Sequence, residues 1–196
     1  MPYIALFLVY FLLIILVITN AFLAFKFFEY IYCAHIRHQP PLLSSNKILR
    51  QYVVEQILTE YPDAMNICEI GSGFGGLART IARKCHKNVI ALENMPFSAF
   101  ASKVADIFTH CKNNRTIWCD AFKFLDNTNI KFDIAIAYLG PKLTPKLYQY
   151  KDKIKVLISL DFEIPDIKPK RIIDLDCGSV IYGGKKYPHK ILIYEF

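Results

Sequence analysis

Three acidic residues stand where buried β-strands are predicted to end, and a glycine-rich turn accompanies the first of them. Glu69 opens the stretch Glu-Ile-Gly-Ser-Gly-Phe-Gly, Glu93 follows the apolar run 88–92, and Asp120 follows the run 116–119. In an open α/β sheet, ligands bind outside the carboxyl ends of the strands. The pattern therefore predicts a small-molecule site at the carboxyl ends of such strands.

The turn after the first strand suits close contact between the backbone and a ligand. Gly71, Gly73 and Gly75 allow positive φ and leave space where a Cβ would collide with a bound group. Their spacing matches neither the dinucleotide fingerprint nor a Walker A loop. Glu93 lies about 20 residues beyond the turn, the separation expected for a carboxylate that binds ribose hydroxyls.

Together these groups suit a nucleoside. The glycine turn would face its tail, Glu93 its ribose, and the polar and aromatic pair at Asp120 and Phe122 its adenine. For each acid taken alone, an ordinary strand-end residue is the alternative. The ordered series of acids favours a binding site over that alternative.

The same motifs resemble those of class I S-adenosylmethionine-dependent methyltransferases, and in particular the small membrane-anchored protein-lysine methyltransferases of mitochondria and bacteria. The resemblance spans residues 42–196 and rests on Glu69–Gly75, Glu93-Asn-Met-Pro-Phe97, Asp120-Ala-Phe122, Leu139-Gly-Pro141 and Phe162-Glu-Ile-Pro165. It implies S-adenosyl-L-methionine as the cofactor. The residues that it implies for binding are Glu69, Gly71, Ser72, Gly73, Gly75, Glu93, Asn94, Asp120, Ala121 and Phe122.

The resemblance also implies where the methyl acceptor binds. In such enzymes the acceptor nucleophile lies beside the loop after the fourth strand, here next to Tyr138. Asp161 or Glu163, after the fifth strand, could hold a lysine ammonium or take its proton, whereas solvated loop acids are the alternative. The Leu139-Gly-Pro loop lacks the Asn/Asp-Pro-Pro-Tyr/Phe signature of enzymes that methylate planar nitrogens, so we expect no nucleic-acid partner.

The elements that must position these residues follow from hydrophobic periodicity. Apolar runs predict an α/β fold behind an N-terminal transmembrane helix. The resemblance implies that its sheet is a doubly wound seven-stranded methyltransferase (Rossmann-like) sheet. Helices are predicted over 47–61, from Leu77 to Ala82 and over 95–110, with a shorter one over 145–150. Strands are predicted over 67–70, 88–92, 116–119, 132–138, 155–160, 171–175, 180–182 and 190–196, with a turn at Gly183-Gly184.

The first 25 residues read as a membrane span. Residues 3–25 are almost wholly apolar, with no charged side chain before Lys26, and about 20 apolar residues cross a bilayer as a helix. A cleaved signal peptide would need a basic start and a clear cleavage site, and a buried core helix would need a larger domain. We therefore predict a transmembrane helix over 1–28, a linker over 29–41, where Gln39-Pro-Pro ends any helix, and a methyltransferase domain over 42–196.

Basic residues follow the apolar segment and none precedes it, so the positive-inside rule places the domain on the cytoplasmic side, at a bacterial inner membrane or its organelle equivalent. The net charge of +7 comes from lysines spread along the chain and selects no partner. The six cysteines form no Cys-x-x-Cys and match no zinc spacing, so we expect a reducing compartment and no metal.

Two features of the sequence keep rival functions open. Phe74 stands where the resembled family often has an acid, which favours a non-catalytic, membrane-tethered domain that binds the nucleoside. The apolar segment suits a lipid or quinone acceptor as well as a lysine on a membrane-associated protein. Oligomeric state has no signal in the sequence.

Overall fold

The chain forms two units in a computed structural model that describes residues 2–31, 43 and 45–196. The units divide between Pro41 and Leu42. The first contains helix α1, Pro2–Ile31, which extends past the predicted end at residue 28. Most of the predicted linker, with its prolines and histidines, lies outside the described residues.

Helix α1 has no charged residue before Lys26. Its large side chains from Tyr3 to Phe28 are exposed wherever the structure describes them. Within the described residues one helix segment, Leu6–Phe25, is long and apolar enough to cross a bilayer, on the grounds of length and composition alone.

The second unit is built on a seven-stranded sheet with the order β3-β2-β1-β4-β5-β7-β6. Strands β1 to β5 run parallel, and β7 pairs antiparallel with both β5 and β6. The predicted doubly wound sheet is confirmed. The strands are β1 Asn66–Ile70, β2 Asn88–Glu93, β3 Asn114–Trp118, β4 Phe132–Ala137, β5 Ile154–Leu160, β6 Arg171–Tyr182 and β7 Lys185–Glu195.

Helices cover both faces of the sheet because its central strands are apolar on both sides. Adjacent residues of β1 separate accordingly: Ile67 packs with α2 and α3 in one core cluster, and Cys68 packs with α5 in the other. The helices of this unit are α2 Lys47–Glu60, α3 Gly76–Lys84, α4 Pro96–Phe108, α5 Ala121–Asn127 and the 3₁₀ helix Thr144–Tyr150.

The order of the strands reverses between β1 and β4. From β1 the chain builds outward through β2 to β3, then returns to β4 on the other side of β1. Such a reversal leaves a crevice at the carboxyl ends of the two central strands, because the following loops turn to opposite faces. The crevice here lies between the glycine turn after β1 and the loop after β4.

The end of the sheet differs from prediction. The runs 171–175 and 180–182 belong to one strand, β6, with a register irregularity between Asp174 and Ser179. Strand β7 begins at Lys185, five residues before the predicted 190. These segments lie at the solvated edge of the sheet, so polar residues interrupt the apolar pattern that identifies a buried strand. The predicted turn at Gly183-Gly184 is present, with φ of 57° and 76°.

Candidate active site

The glycine turn packs too closely for side chains. A Cβ on Gly71, whose φ is +74°, would lie 2.6 Å from Leu139 Cδ2. A Cβ on Gly75, whose φ is +68°, would lie 2.1 Å from Ser102 Oγ. Both positions combine a backbone conformation that L-residues avoid with a contact that admits only hydrogen.

A cleft of about 250 Å³ opens between this turn, the start of α2 and the end of β4. The structure brings five of the predicted site residues to it, namely Glu69, Gly71, Ser72, Gly73 and Tyr138. The other residues that line it are Leu43, Ser45, Arg50, Phe74, Gly76, Leu77, Arg79 and Leu160. Glu93, Asn94, Asp120, Ala121 and Phe122 do not line this cleft.

Glu69 supplies a buried carboxyl group to the cleft. Its Oε2 accepts a hydrogen bond of 2.8 Å from Ala78 N, at the start of α3. Burial raises the pKa of Glu69 to about 8, although the Ala78 N–H and the nearby Arg50 favour the ionised form. Because a cation in the cleft would restore the charged form, Glu69 is suited to binding an ammonium group.

Ser72 leaves a polar atom unsatisfied in the same cleft. Its Oγ is buried and has no hydrogen-bond partner among the residues that the structure describes. A buried hydroxyl without a partner costs free energy unless a ligand supplies one. The residues present therefore fit a polar ligand at the glycine turn.

Glu93, the last residue of β2, hydrogen-bonds to the backbone of the glycine turn. Its Oε2 accepts from Gly73 N at 2.5 Å, and its Oε1 accepts from Met95 N at 2.7 Å. The side chain is only 5% exposed. These backbone contacts hold the carboxylate against the turn. The ribose role stays a prediction.

Asp120 caps a helix. Its Oδ1 accepts from Phe122 N at 2.9 Å and from Lys123 N at 3.2 Å, satisfying the first turn of α5. The ring of Phe122 lies 6.2 Å from that of Tyr150, centroid to centroid. The backbone carbonyl of Asn94 accepts from Trp118 Nε1 at 3.1 Å. The proposed adenine contacts of this group remain predictions.

Sequence analysis missed the side chain that anchors the tip of the turn. Arg79 Nη2 donates to the Phe74 carbonyl at 2.5 Å, and its Nη1 donates to Asp106 Oδ1 at 3.2 Å. Asp106 also accepts from Asn114 and Thr116 in β3. The only indication of this role in the sequence was the position of Arg79, a basic residue in the first turns of the helix that follows the glycines.

Replacing Arg79 by alanine is expected to lower the free energy of unfolding by about 1.5–3 kcal/mol, the range for hydrogen bonds to charged groups. Ligand affinity at the turn should fall as well, because the Phe74 carbonyl loses its tie to α4. Thermal unfolding measures the first effect. Arg83→Ala is the matched control, since Arg83 is an exposed residue of the same helix. Equal stability of the two variants would contradict the prediction.

Tyr138 and Asp161 meet behind the cleft. Tyr138 Oη donates to Asp161 Oδ2 at 2.6 Å, and burial, together with this contact, raises the pKa of the tyrosine. His189 Nδ1 lies 2.8 Å from the same oxygen, and Lys190 N donates to Asp161 Oδ1 at 2.9 Å. Glu163 instead pairs with the Lys190 ammonium at the surface, which matches the solvated alternative considered for it.

Aromatic side chains surround this group. The Phe162 ring lies 5.9 Å from that of Tyr138, 5.7 Å from Tyr182 and 5.1 Å from Tyr187, centroid to centroid. Gly140, in the loop after β4, touches the Tyr182 ring, and a Cβ there would lie 2.8 Å from Tyr182 Cε2. The loop after β4 is therefore held against β6.

Comparisons with known proteins identify the fold. No protein-family model and no curated protein matches the sequence. An RNA methyltransferase from Salinibacter ruber, in complex with S-adenosyl-L-homocysteine, superposes with a TM-score of 0.60 at 19% identity, over 78% of this chain and 93% of that one. This chain has the class I methyltransferase fold.

Two further structures show the same methyltransferase fold. An O-methyltransferase from Bacillus cereus, also with S-adenosyl-L-homocysteine, matches at a TM-score of 0.59 and 15% identity, over 86% of this chain and 90% of that one. A precorrin-6y C5,15-methyltransferase from Geobacter metallireducens matches at 0.58 and 11%, over 81% and 92%. At these identities the methyltransferase fold is shared, whereas acceptors differ among the three.

The described residues contain no group of three or more His, Cys, Asp or Glu side chains that could hold a metal ion. The cysteines in the described part, Cys68, Cys85, Cys111, Cys119 and Cys177, are free thiols. Cys33 lies outside the described residues.

Proposed function

We propose that the protein is a membrane-anchored methyltransferase that uses S-adenosyl-L-methionine. The observation that carries this proposal is the cleft at the strand reversal, where the unsatisfied Ser72 hydroxyl and the buried Glu69 carboxyl face one space beneath a glycine turn. The structural neighbours that were solved with S-adenosylhomocysteine have the same fold.

Residues of the cleft match the polar ends of this cofactor. Glu69 would bind the ammonium of its methionine part, and Arg50, which donates to Ser45 Oγ at 3.0 Å, would face the carboxylate. Outside this cleft, Glu93 would bind the ribose, and the backbone around Asp120 and Phe122 the adenine. When bound, the cofactor supplies an electrophilic methyl group on a positively charged sulfur.

The chain itself must place the acceptor and receive its proton. Tyr138 lines the cleft and is fixed by Asp161, so its hydroxyl can position a nucleophile without rotating away. Holding the nucleophile in line with the methyl group removes much of the entropic barrier to transfer. An amine acceptor must also lose a proton before it can attack.

The acceptor that we propose is a lysine of a membrane-associated protein. A buried carboxylate within an aromatic cluster suits an ammonium on an aliphatic stem. An anchor through α1 would confine enzyme and substrate to one surface and raise their effective concentration. We propose the cytoplasmic side for the domain, because basic residues follow the span.

Two rival functions have an observation in their favour. The apolar segment Leu6–Phe25 of α1 suits a lipid or quinone acceptor equally well. Phe74 at the turn favours a non-catalytic domain, although its ring packs edge-on against Phe97 at 6.3 Å and its carbonyl is held by Arg79. Those contacts give Phe74 a structural role in the turn.

Labelled methyl transfer distinguishes these functions. The full chain in lipid nanodiscs would be incubated with isolated membranes and S-adenosylmethionine carrying a tritiated methyl group, with the Glu93→Ala variant as the inactive control. We expect acid-stable label in methyl-lysine of the protein fraction. Label in the lipid extract or in RNA would replace the lysine proposal. Cofactor binding without any transfer would support the non-catalytic alternative.

The affinity for S-adenosylmethionine is expected to rise about tenfold between about pH 6 and pH 7, because binding its ammonium ionises Glu69 and releases one proton. The rise should stop near pH 8, the pKa of Glu69, where the α-ammonium of the cofactor, at about 7.7–8.0, also loses its proton. Calorimetric titration of the full chain at each pH measures this.

Glu69→Gln is the control for that pH dependence. It should bind the cofactor more weakly and with no slope between about pH 6 and 7. In the folded protein Glu69 keeps its proton up to about pH 8, whereas an unfolded glutamate keeps it only to about pH 4.3. The free energy of unfolding of the free wild-type protein should therefore fall as the pH rises from about 4.3 to about 8. The glutamine variant should lack that loss. A wild-type affinity that is flat with pH would contradict the assignment.

A further inference from the structure

Asp161 is the centre of a hydrogen-bonded group that spans two parts of the sheet. Its Oδ2 accepts from Tyr138 Oη at 2.6 Å and lies 2.8 Å from His189 Nδ1, while Oδ1 accepts from Lys190 N at 2.9 Å. The Asp161 residue is 1% exposed. A buried carboxylate with three such contacts is fixed in one orientation.

The backbone departs from regular geometry on both sides of the Asp161–His189 pair. Asp161 has a φ of +65°, a conformation that costs free energy for a residue with a side chain. In the hairpin, Asp174 pairs with Lys190 and Ser179 with Pro188, so the four residues 175–178 of β6 stand opposite His189 alone. Bulges of this kind re-aim a side chain next to functional sites.

The bulge also borders the imidazole of His189. Gly178 has a φ of +107°, and a Cβ there would lie 4.0 Å from His189 Cδ2. Two separate irregularities, one after β5 and one in β6, thus converge on a single histidine. Backbone pairing does not require the irregularity in β6, because a regular β6–β7 ladder would satisfy the same backbone groups.

The contact with Asp161 determines which nitrogen of His189 is basic. A carboxylate accepts hydrogen bonds, so Nδ1 carries a proton and donates it to Asp161 Oδ2. In the neutral ring Nε2 is then the unprotonated nitrogen. Tyr138 donates to the same oxygen and stays protonated, because burial and the carboxylate raise its pKa. His189 Nδ1 and Tyr138 Oη therefore share one carboxylate oxygen of Asp161, and Tyr138 lines the cleft.

We infer that His189 is the general base that deprotonates an amine acceptor, and that Asp161 is the positioning residue that orients its ring. This inference rests on the proposed methyl transfer. The acceptor ammonium gives one proton to His189 Nε2, directly or through one water. Its nitrogen lone pair then forms the C–N bond as the S–CH₃ bond breaks and the sulfonium becomes a neutral thioether. The proton leaves the imidazolium to solvent.

Other ionisable groups near His189 bear on its pH dependence. They lie on β4, on the loop after β5, in the bulge and on β7 itself, and they are Tyr138, Asp161, Glu163, Asp176, Cys177, Tyr187 and Lys190. Lys190 is paired with Glu163, which leaves the Asp161 carboxylate as the acid in direct contact with the imidazole. Its charge stabilises the imidazolium that forms during the reaction.

The test compares kcat/KM for methyl-lysine formation across pH in the full chain, with isolated membranes as acceptor and tritiated S-adenosylmethionine as donor. His189→Asn is expected to lower kcat/KM by about 100-fold or more, the usual contribution of a general base. The wild-type rate should rise with pH along an acid limb and then level off once His189 is deprotonated. In His189→Asn this limb should disappear, and the rate should instead keep rising with pH as free lysine deprotonates. Cofactor affinity should be unchanged, which separates this proposal from cofactor binding.

Three further variants keep the result decisive. His110→Asn removes an exposed histidine far from the group in sequence and should leave rate and profile unaltered. Asp161→Asn keeps a residue type that tolerates positive φ and should lose rate through a wrong tautomer. Free imidazole should partly restore His189→Ala. A wild-type acid limb retained in His189→Asn, or full activity in Asp161→Asn, would overturn the inference.

Discussion

Replacing Glu93 by alanine is expected to abolish binding of S-adenosylmethionine by the full chain. Glu93 is the acid predicted to accept hydrogen bonds from the ribose hydroxyls, and such bonds to a charged acceptor contribute about 1.5–3 kcal/mol each. Losing two of them weakens binding by about 100-fold or more. The variant also loses the contact from Gly73 N, so the turn would no longer be held in its binding conformation.

Calorimetric titration with S-adenosylmethionine and S-adenosylhomocysteine measures this effect directly. Thermal unfolding should be recorded alongside, because Glu93 also accepts from Met95 N and supports the start of α4. Glu163→Ala is the matched control: it removes an exposed acid that pairs with Lys190 and should leave affinity unchanged. Unchanged affinity in a folded Glu93→Ala protein would reject the ribose assignment.

Deleting residues 1–28 is expected to release the protein from membranes that have been washed with carbonate. The apolar segment Leu6–Phe25 has the length of a bilayer span, and none of its large side chains that the structure describes is buried in the protein. Transfer of such side chains into hydrocarbon is the expected source of membrane affinity. Carbonate-resistant association that survives the deletion would refute the transmembrane proposal.

Point variants test the same span without removing it. Arginine at Leu13 and Leu16 should cost about 2.5–3.5 kcal/mol each near the centre of a bilayer and should release a large fraction of the protein. Leu13→Ile with Leu16→Ile is the size-matched control. Protease added to sealed inside-out vesicles should digest residues 42–196 if the domain faces the cytoplasm, and protection there would reverse the proposed orientation.

Hydrophobic runs identified the central sheet well, because parallel strands that are covered on both faces are continuously apolar. The run Phe132 to Ala137 in β4 is an example. Glu93 ends β2 and Asp120 follows β3, whereas Glu69 is the last residue but one of β1; their binding roles stay predictions. What the sequence could not reveal is that Glu93 and Asp120 bond to neighbouring backbone N–H groups, since a loop conformation decides that.

His189 was missed for a physical reason. It lies in the polar stretch Lys185-Lys-Tyr-Pro-His-Lys, which has the composition of a loop, and its partner Asp161 is 28 residues away. Only the antiparallel pairing of β7 with β5 brings the two together. Arg79 was missed similarly, because its contacts with Phe74 and Asp106 join three elements that are separate in sequence.

The position of β7 has a consequence for biosynthesis. Ribosomes release β6 before β7, yet β6 is joined to the rest of the sheet through β7. Until β7 emerges, β5 presents unpaired N–H and C=O groups, and such edges attract other strands and promote aggregation. Asp161 also lacks its contacts with His189 and Lys190 at that stage. The nascent chain should therefore depend on chaperones late in synthesis, and its acceptor pocket should assemble after α1 has met the insertion machinery.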